Sequence, residues 1–311
     1  MKFSLVIPLA PGRNAEVINS IKESDYPKKE YEIIVKEGLN PSDNRNSGAK
    51  ESKGKIIAFL DDDAIIDKNL LKRAEEFFEK YKEIDIVGGA QLTPKWQKGF
   101  AKISGYALSS KFGAWKMGNR YSQKKLDLNA DETMLTSANL FCRKEVMKKI
   151  QFDSKLFPGE DPKFIEDAKK AGFRVAYSPD LILYHKRRET TKALIKQIAS
   201  YGRTRTIKES FFNTLKRPFF LIPSLFIIYL FLLLIFISLE LFKIILIPNI
   251  EILSFPLIFY MILDFIFSVY ESIKNKHIIA FIPLIFIFPL IHLSYGFGMI
   301  KGYFEKCLRS V

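Results

Sequence analysis

The chain changes character near residue 219, and this change constrains its fold more than any other feature. Residues 219–239 are almost wholly Leu, Ile and Phe. A helix needs about 20 apolar residues to cross a bilayer, so this run predicts a transmembrane helix in preference to a buried core helix. Residues 252–270 and 278–300 are two further candidates, each interrupted by polar residues or proline. We therefore expect a soluble part followed by an all-α membrane region.

Charge indicates which side of the membrane the soluble part occupies. The formal net charge is +14, and residues 186–217 hold ten Lys and Arg against two Glu. Basic clusters beside a transmembrane helix mark the cytoplasmic side and attract anionic lipid headgroups. No zinc spacing or aromatic RNA-binding signature accompanies this run, so it does not indicate nucleic acid as a partner. We expect a multi-pass protein of the cell membrane with a cytoplasmic soluble domain.

The soluble part alternates short apolar runs with amphipathic stretches, a pattern typical of βαβ units and a mostly parallel α/β sheet. A polar loop is predicted over residues 38–46, and residues 95–125 lack clear periodicity. The predicted strands are 3–8, 31–35, 56–60, 84–88, 135–141, 175–177 and 181–184. The predicted helices are 15–24, 70–81, 143–150 and 161–171, with one or two helical turns over 47–52.

Three carboxylates follow the apolar run IIAFL, as Asp61, Asp62 and Asp63. Ligands bind at the carboxyl ends of strands in open α/β sheets, and adjacent carboxylates repel unless a cation neutralises them. In an extended chain Asp61 and Asp63 project to one side and Asp62 to the other. This arrangement predicts a Mg²⁺ or Mn²⁺ site that also meets substrate phosphates. A solvated acidic turn is the alternative.

Two further features carry candidate chemistry. In PGEDPKF, Glu160 and Asp161 precede a predicted helix. Asp161 is a candidate helix N-cap and a candidate general base that takes a hydroxyl proton, and both roles can hold at once. His185 ends the run LILYH and is followed by Lys186-Arg187-Arg188. It is a candidate ligand for the same metal or for a diphosphate, although a lone His is more often a packed surface residue.

These segments, in this order, resemble glycosyltransferase family 2. The resemblance covers roughly residues 3–205. It rests on the opening strand FSLVIPLAPGR, the segment DNRNSGAKESKGKIIAFLDDDAII, and the block from LTSANLFCRK through GED and AGFRV to LILYH. It implies the GT-A fold, a Rossmann-like, mostly parallel sheet flanked by helices. It also implies an inverting transfer of a sugar from a nucleotide-sugar donor, with Mg²⁺ or Mn²⁺ as cofactor.

The resemblance assigns roles on the donor side of the site. Asp61 and Asp63 correspond to the family's DXD motif, with Asp63 on the metal, Asp61 on metal or ribose, and Asp62 beside the donor. His185 matches a residue that approaches the metal or the diphosphate. Pro8 and Glu37 fall where the family contacts the base and ribose. The chain has Lys36-Glu37 where the family usually has Asp, so the nucleotide is left open.

On the acceptor side, the resemblance makes Asp161 the catalytic base and Glu160 its support. The stretch QIASYGRTRT resembles a Q-x-x-x-Y-G-R-x-R signature of members that build exopolysaccharides or lipid-linked glycans, which makes Gln197, Tyr201 and Arg203 acceptor-side candidates. The aromatics among the lysines of residues 95–125 suggest a segment that dips into lipid headgroups, or else an ordinary mobile acceptor loop. Its two tryptophans are Trp96 and Trp115.

These observations predict a domain plan and a partner. We expect a GT-A catalytic domain over 1–205, a basic juxtamembrane linker over 206–217, a membrane region over 218–300 and a basic tail over 301–311. The acceptor is expected to be a lipid-linked glycan or polysaccharide at the membrane. The alternatives are a processive polysaccharide synthase, although the Q-x-x-R-W motif of such enzymes is absent, a nucleotidyltransferase, and a non-catalytic scaffold that binds nucleotide-sugars.

Overall fold

The computed structural model describes residues 1–244 and 250–308. They divide into two compact units. The first unit comprises Met1–Lys98 and Ala114–Arg187, and the second comprises Gly99–Gly113 and the described residues from Arg188 onward.

Nine strands occur in the described residues, all in the first unit. They are β1 (Phe3–Leu9), β2 (Tyr31–Glu37), β3 (Ile56–Leu60), β4 (Ala64–Ile66), β5 (Ile86–Gly88), β6 (Gln91–Leu92), β7 (Asn139–Arg143), β8 (Val175–Tyr177) and β9 (Leu183–His185). Six form a central sheet in the order β2-β1-β3-β7-β5-β8, and three form a small sheet in the order β4-β9-β6. The sequence prediction did not include β4 or β6, which are three and two residues long.

The helices occur in both units. They are α1 (Val17–Lys22), α2 (Pro41–Glu51), α3 (Leu70–Lys80), α4 (Gly99–Ser109), α5 (Lys111–Ala114), α6 (Lys144–Lys149), α7 (Glu160–Lys170), α8 (Thr191–Lys208), α9 (Phe211–Leu215), α10 (Ile222–Leu241), α11 (Ile250–Lys274) and α12 (Phe281–Leu308). Short 3-10 turns occupy Lys28–Glu30, Trp115–Tyr121, Pro218–Phe220 and Ile278–Ala280.

The central sheet is mostly parallel, which confirms the predicted fold class. Strand β1 pairs in parallel with both β2 and β3, and β5 pairs in parallel with β8. Strand β7 is antiparallel to both of its neighbours, β3 and β5. The sheet is therefore mixed at its centre, where one reversed strand joins two parallel groups.

Burial on both faces explains why the strands appear in the sequence as unbroken apolar runs. Every residue of β1 and of β3 is buried. On β3, Ile56, Ala58 and Leu60 face one core, which α1 and α3 cover. Ile57 and Phe59 face the other core, which α2, α6 and α7 cover. The two cores fix the sheet so that the ends of β1, β2 and β3 lie along one edge.

The polar loop predicted over residues 38–46 is wrong, because α2 begins at Pro41. The Asn40 side chain caps the helix by accepting hydrogen bonds from the backbone N–H groups of Ser42 and Asp43. Proline fits the first turn of a helix, where its missing N–H is not needed, and Asn is a preferred cap. Both signals were in the sequence, but the polar composition outweighed them in our prediction.

The aperiodic stretch 95–125 contains a regular helix, α4, which belongs to the second unit and packs against α12. The α4 residues that are buried are mostly small and lie on several sides of the helix, so they give no apolar stripe of helical period. In α5, which follows α4, the Phe112 ring stacks on Phe267 with ring centroids 5.0 Å apart. The Phe112 carbonyl oxygen lies 2.7 Å from His292 Nε2. Only part of the stretch is therefore the surface loop that the sequence indicated.

In the second unit, α8 and α12 approach each other at glycines. A Cβ atom at Gly202 would lie 2.1 Å from the Tyr295 carbonyl oxygen, and one at Gly298 would lie 2.0 Å from the Ala199 carbonyl oxygen. The two backbones therefore pack without intervening side chains, as small residues allow between membrane helices. Three helical stretches here, Ile222–Leu241, Glu251–Lys274 and Ile278–Leu308, are long and apolar enough to cross a membrane.

The predicted domain limits do not coincide with helix ends. The limit after residue 205 falls inside α8, and the predicted linker 206–217 contains the end of α8 and all of α9. The predicted tail from residue 301 continues α12 as far as Leu308, and its last three residues lie outside the described range. The glycine-lined contact between α8 and α12 extends into the predicted tail, since a Cβ atom at Gly302 would lie 2.3 Å from Thr206 Oγ1.

Candidate functional site

The carboxyl end of β3 and the end of β9 bring three predicted metal ligands together. His185 Nε2 lies 3.4 Å from Asp61 Oδ2 and 3.2 Å from Asp63 Oδ1. One ligand atom from each of the three residues lies within 4.8 Å of the others. Strand pairing explains the convergence, since β4 follows Asp63 directly and Ala64 pairs with His185 in the antiparallel β4–β9 ladder.

Hydrogen bonds within this group shift the pKa values of all three residues toward their charged forms. Burial alone would lower the pKa of His185, but its hydrogen bonds to Asp61 and Asp63 raise it to about 9. Burial alone would raise the pKa values of both carboxyls, yet the hydrogen bond from His185 keeps each below its usual range. The imidazole is therefore protonated at neutral pH, and its Nε2–H group lies between the carboxylates of Asp61 and Asp63.

These residues fit a divalent metal. Ligand atoms at right angles around an ion, with bonds of about 2.1 Å, lie about 3 Å apart, close to the two distances from Nε2. His185 Nδ1 lies 3.1 Å from the Lys186 carbonyl oxygen and donates to it, because a carbonyl can only accept. This bond directs Nε2 at the carboxylates, as in metal sites where the second ring nitrogen is held by a backbone oxygen. Carboxylate oxygens suit Mg²⁺ and Mn²⁺ and imidazole nitrogen suits several transition metals, so the ligand types agree with a divalent metal without selecting one ion.

A buried arginine connects this group to the predicted catalytic pair. Arg45, on α2, is 5% exposed. Its Nη1 donates to Glu160 Oε1 at 2.9 Å, and its Nη2 lies 3.3 Å from Asp61 Oδ1. Burial would lower the Arg45 pKa, but the carboxylates of Asp161, Asp61 and Glu160 raise it. Arg45 therefore fixes the spacing between the two acidic segments.

Glu160 and Asp161 form the first turn of α7. Gly159 precedes them with φ 121°, a backbone conformation that favours glycine. The helix has no side-chain cap at this end, so the candidate role of Asp161 as an N-cap does not hold. Asp161 Oδ1 is enclosed and has no hydrogen-bond partner among the described residues. Burial, together with the charge of Asp161, raises the pKa of Glu160.

The remaining donor-side candidates lie at the same edge of the sheet. Pro8 and Glu37 stand near the carboxyl ends of β1 and β2, where Pro8 pairs with Lys36 and Leu9 with Glu37. Asp62 does not belong to the group of possible metal ligands, and its Oδ2 lies 2.9 Å from Arg13 Nε. Burial raises the pKa of Asp62 to about 6, although Arg13 opposes this shift.

Comparison with known proteins identifies the family. A sequence profile described as glycosyltransferase like family 2 matches residues 4–203, which is most of the chain. The chain belongs to glycosyltransferase family 2. Its sheet, acidic strand end and GED segment all lie within the matched residues.

Two relatives show what this glycosyltransferase is similar to in sequence. It is 27% identical over 148 residues to the minor teichoic acid biosynthesis protein GgaB of Bacillus subtilis, covering 45% of this chain and 15% of GgaB. It is 23% identical over 209 residues to the glycosyltransferase AglE of Haloferax volcanii, covering 58% of this chain and 64% of AglE. The chain thus spans less than two thirds of the length of either relative.

A solved structure extends the likeness in fold to nearly the whole chain. The mannosyltransferase PcManGT of Pyrobaculum calidifontis, solved with GDP-Man and Mn²⁺, superimposes with a TM-score of 0.62 at 11% identity. The match covers 98% of this chain and 88% of PcManGT. At this identity the likeness shows the fold alone, and it confirms the GT-A class predicted from sequence.

The acceptor-side candidates of this family 2 enzyme lie in different units. Gln197, Tyr201 and Arg203 are on α8 in the second unit. Gln197 Nε2 donates to the Tyr201 hydroxyl at 3.0 Å, and Arg203 pairs with Glu305 at 2.7 Å. Gly202, within the same signature, supports the contact with α12. Residues of this signature therefore help to pack α8 against α12, in addition to any role in binding.

The two tryptophans lie in the first unit, and both are about half exposed, Trp96 at 55% and Trp115 at 54%. The Lys186 ammonium lies 5.9 Å from the centroid of the Trp96 ring. Trp115 has φ 48°, a left-handed conformation that is strained for a bulky side chain. Held strain of this kind is frequent at functional loops.

Sequence analysis missed Arg45 and Arg13, the two arginines that contact the acids. A helical signal for Arg45 was present, because the buried residues Ser42, Arg45 and Ala49 of α2 have the spacing of one helix face. A helix predicted to start at Asn40-Pro41 would have placed Arg45 on the buried face of α2. Arg13 is 50 residues from Asp63 in the sequence, and no local sequence pattern predicts their contact.

Proposed function

We propose that the chain is an inverting, metal-dependent glycosyltransferase that moves a sugar from a nucleotide-sugar to a membrane-associated, lipid-linked or polysaccharide acceptor. The observation that carries this proposal is the Asp61, Asp63 and His185 group, coupled through Arg45 to the Glu160–Asp161 pair. With a divalent metal bound, such a group suits a donor diphosphate, and the carboxylate pair suits an acceptor hydroxyl.

The chemistry follows from the charges in place. Asp61, Asp63 and His185 would hold Mn²⁺ or Mg²⁺, which supplies positive charge to the departing nucleoside diphosphate. Asp161 takes the proton of the acceptor hydroxyl as that oxygen attacks the anomeric carbon. Glu160 and Arg45 hold Asp161 in position. A single displacement with one base inverts the anomeric centre, because the hydroxyl attacks from the face opposite the leaving group.

The membrane side of the proposal rests on the second unit. Three apolar helical stretches there are long enough to span a bilayer, and the basic run that precedes the first supports a cytoplasmic catalytic domain. GgaB, by its name, takes part in teichoic acid biosynthesis, which supports a glycan acceptor. We propose that Gln197, Tyr201 and Arg203 serve the acceptor end, and that Pro8, Glu37 and Asp62 line the donor end.

The deciding experiment is release of nucleoside diphosphate by the full-length protein in detergent. The assay contains Mn²⁺ or Mg²⁺, a panel of nucleotide-sugars, and polyprenyl-phosphate and lipid-linked acceptors. Asp63→Asn is the control for the metal site. We expect release with one donor and none with the control variant.

Two negative results would be informative. Metal-dependent donor binding without release would mean that the acceptor is missing from the mixture. Absence of donor binding across the whole panel would contradict the proposal and favour a non-catalytic role. Consumption of the donor with release of pyrophosphate would instead indicate a nucleotidyltransferase.

Binding of Mn²⁺ at this site is expected to release a proton from His185. With a pKa of about 9, the imidazole is protonated at pH 7 and must lose its Nε2 proton to coordinate. Affinity should therefore rise about tenfold per pH unit below pH 9 and level off above it. Free Mn²⁺ measured by electron paramagnetic resonance at pH 7 and pH 8 tests this. A flat profile in the wild type would contradict it, and His185→Gln should remove the slope attributed to this proton.

Trp96 and Trp115 are expected to contact lipid in proteoliposomes. They are the only two tryptophans, so intrinsic tryptophan fluorescence reports on these loops alone. Trp96→Phe and Trp115→Phe each leave a single reporter. We expect lipids brominated near the headgroup to quench both, as for aromatic residues at a membrane interface. Quenching by aqueous iodide but not by brominated lipid would show that the loops stay in water.

A further inference from the structure

The loop between β1 and α1 carries a cation that occupies part of the donor site. Arg13 Nη2 lies 3.3 Å from Asp63 Oδ2, and Arg13 Nε lies 2.9 Å from Asp62 Oδ2. Asp63 thus faces His185 with one oxygen and Arg13 with the other. In the structure, the charge of this carboxylate is already balanced by the protein.

Arg13 is held loosely compared with the other cation at this edge. Its side chain is 51% exposed, whereas that of Arg45 is 6% exposed. Gly12, just before it, has φ 77°, and a Cβ atom built there would have no atom within 4 Å. Lys186, next to His185, pairs with Glu16 at the other end of the same loop. Charged side chains that reach solvent therefore attach the loop to both metal-ligating segments. Directly after the loop, the backbone N–H of Val17 donates to the Asp62 carbonyl oxygen at 3.0 Å.

We propose that Arg13 is an internal counter-ion of Asp63 which the diphosphate of the donor draws away, so that metal binding and donor binding strengthen each other. Before the donor arrives, Arg13 opposes a second cation at Asp63, because two like charges compete for one carboxylate. The guanidinium group of Arg13 can donate two parallel hydrogen bonds to the oxygens of a diphosphate, a geometry that arginine favours. Once Arg13 pairs with phosphate, Asp63 is free for the metal. This inference rests on the proposed function.

The coupling has a definite sign. Coupling between two ligands is reciprocal, so nucleotide must raise metal affinity by the factor by which metal raises nucleotide affinity. Part of that factor comes from direct contact between metal and phosphate. Arg13 contributes the remainder of the factor in two ways. It weakens metal binding when no nucleotide is present, and it strengthens the binding of the nucleotide phosphates.

The test measures Mn²⁺ binding to the full-length protein by electron paramagnetic resonance, alone and with saturating UDP or GDP, whichever binds the wild type more tightly. For Arg13→Ala we expect Mn²⁺ alone to bind about fivefold more tightly, and the enhancement by nucleotide to fall by about the same factor, a size typical of coupled sites. Nucleotide itself should bind more weakly to the variant.

Two controls make the outcome specific. Arg73→Ala removes another partly exposed arginine, which pairs with Asp67 at 3.3 Å on the surface, and it should behave as wild type. Arg13→Lys keeps the charge but has one ammonium in place of a guanidinium, and it should retain most of the opposition to Mn²⁺.

The results separate this inference from the function on which it rests. If Arg13→Ala binds Mn²⁺ alone as the wild type does, or less tightly, or if its enhancement by nucleotide is unchanged, the counter-ion role is overturned while the transferase stands. If Mn²⁺ binding to the wild type does not depend on Asp63, or if neither nucleotide binds, the proposed function falls and the inference falls with it.

Discussion

Asp161→Asn is expected to lower the rate of sugar transfer about 10³-fold, within the range seen when a general base is removed. The amide has the same shape but cannot accept a proton from the acceptor hydroxyl. Donor binding should persist, because Asp161 has no hydrogen bond to Asp61, Asp63 or His185 among the described residues. Nucleoside diphosphate release, measured beside donor binding, gives both quantities in one preparation.

A matched control lies on the same helix. Asp167, near the other end of α7, pairs with Lys163 at 2.5 Å, and Asp167→Asn should leave transfer close to the wild-type rate. If Asp161→Asn retained turnover, Asp161 would be removed from the role of base. Equal loss in both variants would point to disruption of the helix instead.

Arg45→Met is expected to destabilise the first unit and to abolish transfer. Removing one partner of a buried ion pair typically costs about 3–5 kcal/mol, because the other charge is left without compensation. Here two carboxylates, Glu160 and Asp61, lose the same partner. For a unit of this size, a loss of that order corresponds to a fall in the melting temperature of about 10 °C. Thermal unfolding in detergent measures it.

A second variant shows whether the buried charge is the cause. Glu160→Gln removes one of the carboxylates that Arg45 neutralises, so the double variant Arg45→Met with Glu160→Gln should be more stable than Arg45→Met alone. If the two effects simply added, the contact between Arg45 and Glu160 would not be the source of the loss. Arg73→Met, on the surface, should change the melting temperature little.

The sheet and its acidic edge could be predicted because their signals are local. A strand buried on both faces is an unbroken apolar run, and β3 was predicted with the ends that the structure has. The acids follow at once, so their position at the sheet edge needs only the rule that parallel strands end together. His185 was placed in the same way, although its pairing with Ala64 could not be foreseen.

The parts that escaped prediction depend on contacts between distant residues. Arg45 meets Glu160 across 115 positions, and no periodic pattern marks such a pair. Helix α4 was missed because its buried residues surround the helix, as expected for an element enclosed by others and not laid on a surface. The start of α2 is different, because its Asn cap and its proline are both visible in the sequence. The polar composition of residues 38–46 nevertheless led to the prediction of a loop.

The contact between α8 and α12 sets an order of events during synthesis. Helix α8 ends at Lys208, whereas α12 begins at Phe281, so α8 leaves the ribosome well before the helix that covers its glycine face. Until then Gly202 and the backbone around it have no partner of this kind, and contacts between residues far apart in sequence form late. The family 2 match ends at residue 203, inside α8. A chain shortened at that point would therefore end part-way through a helix whose packing depends on residues made later.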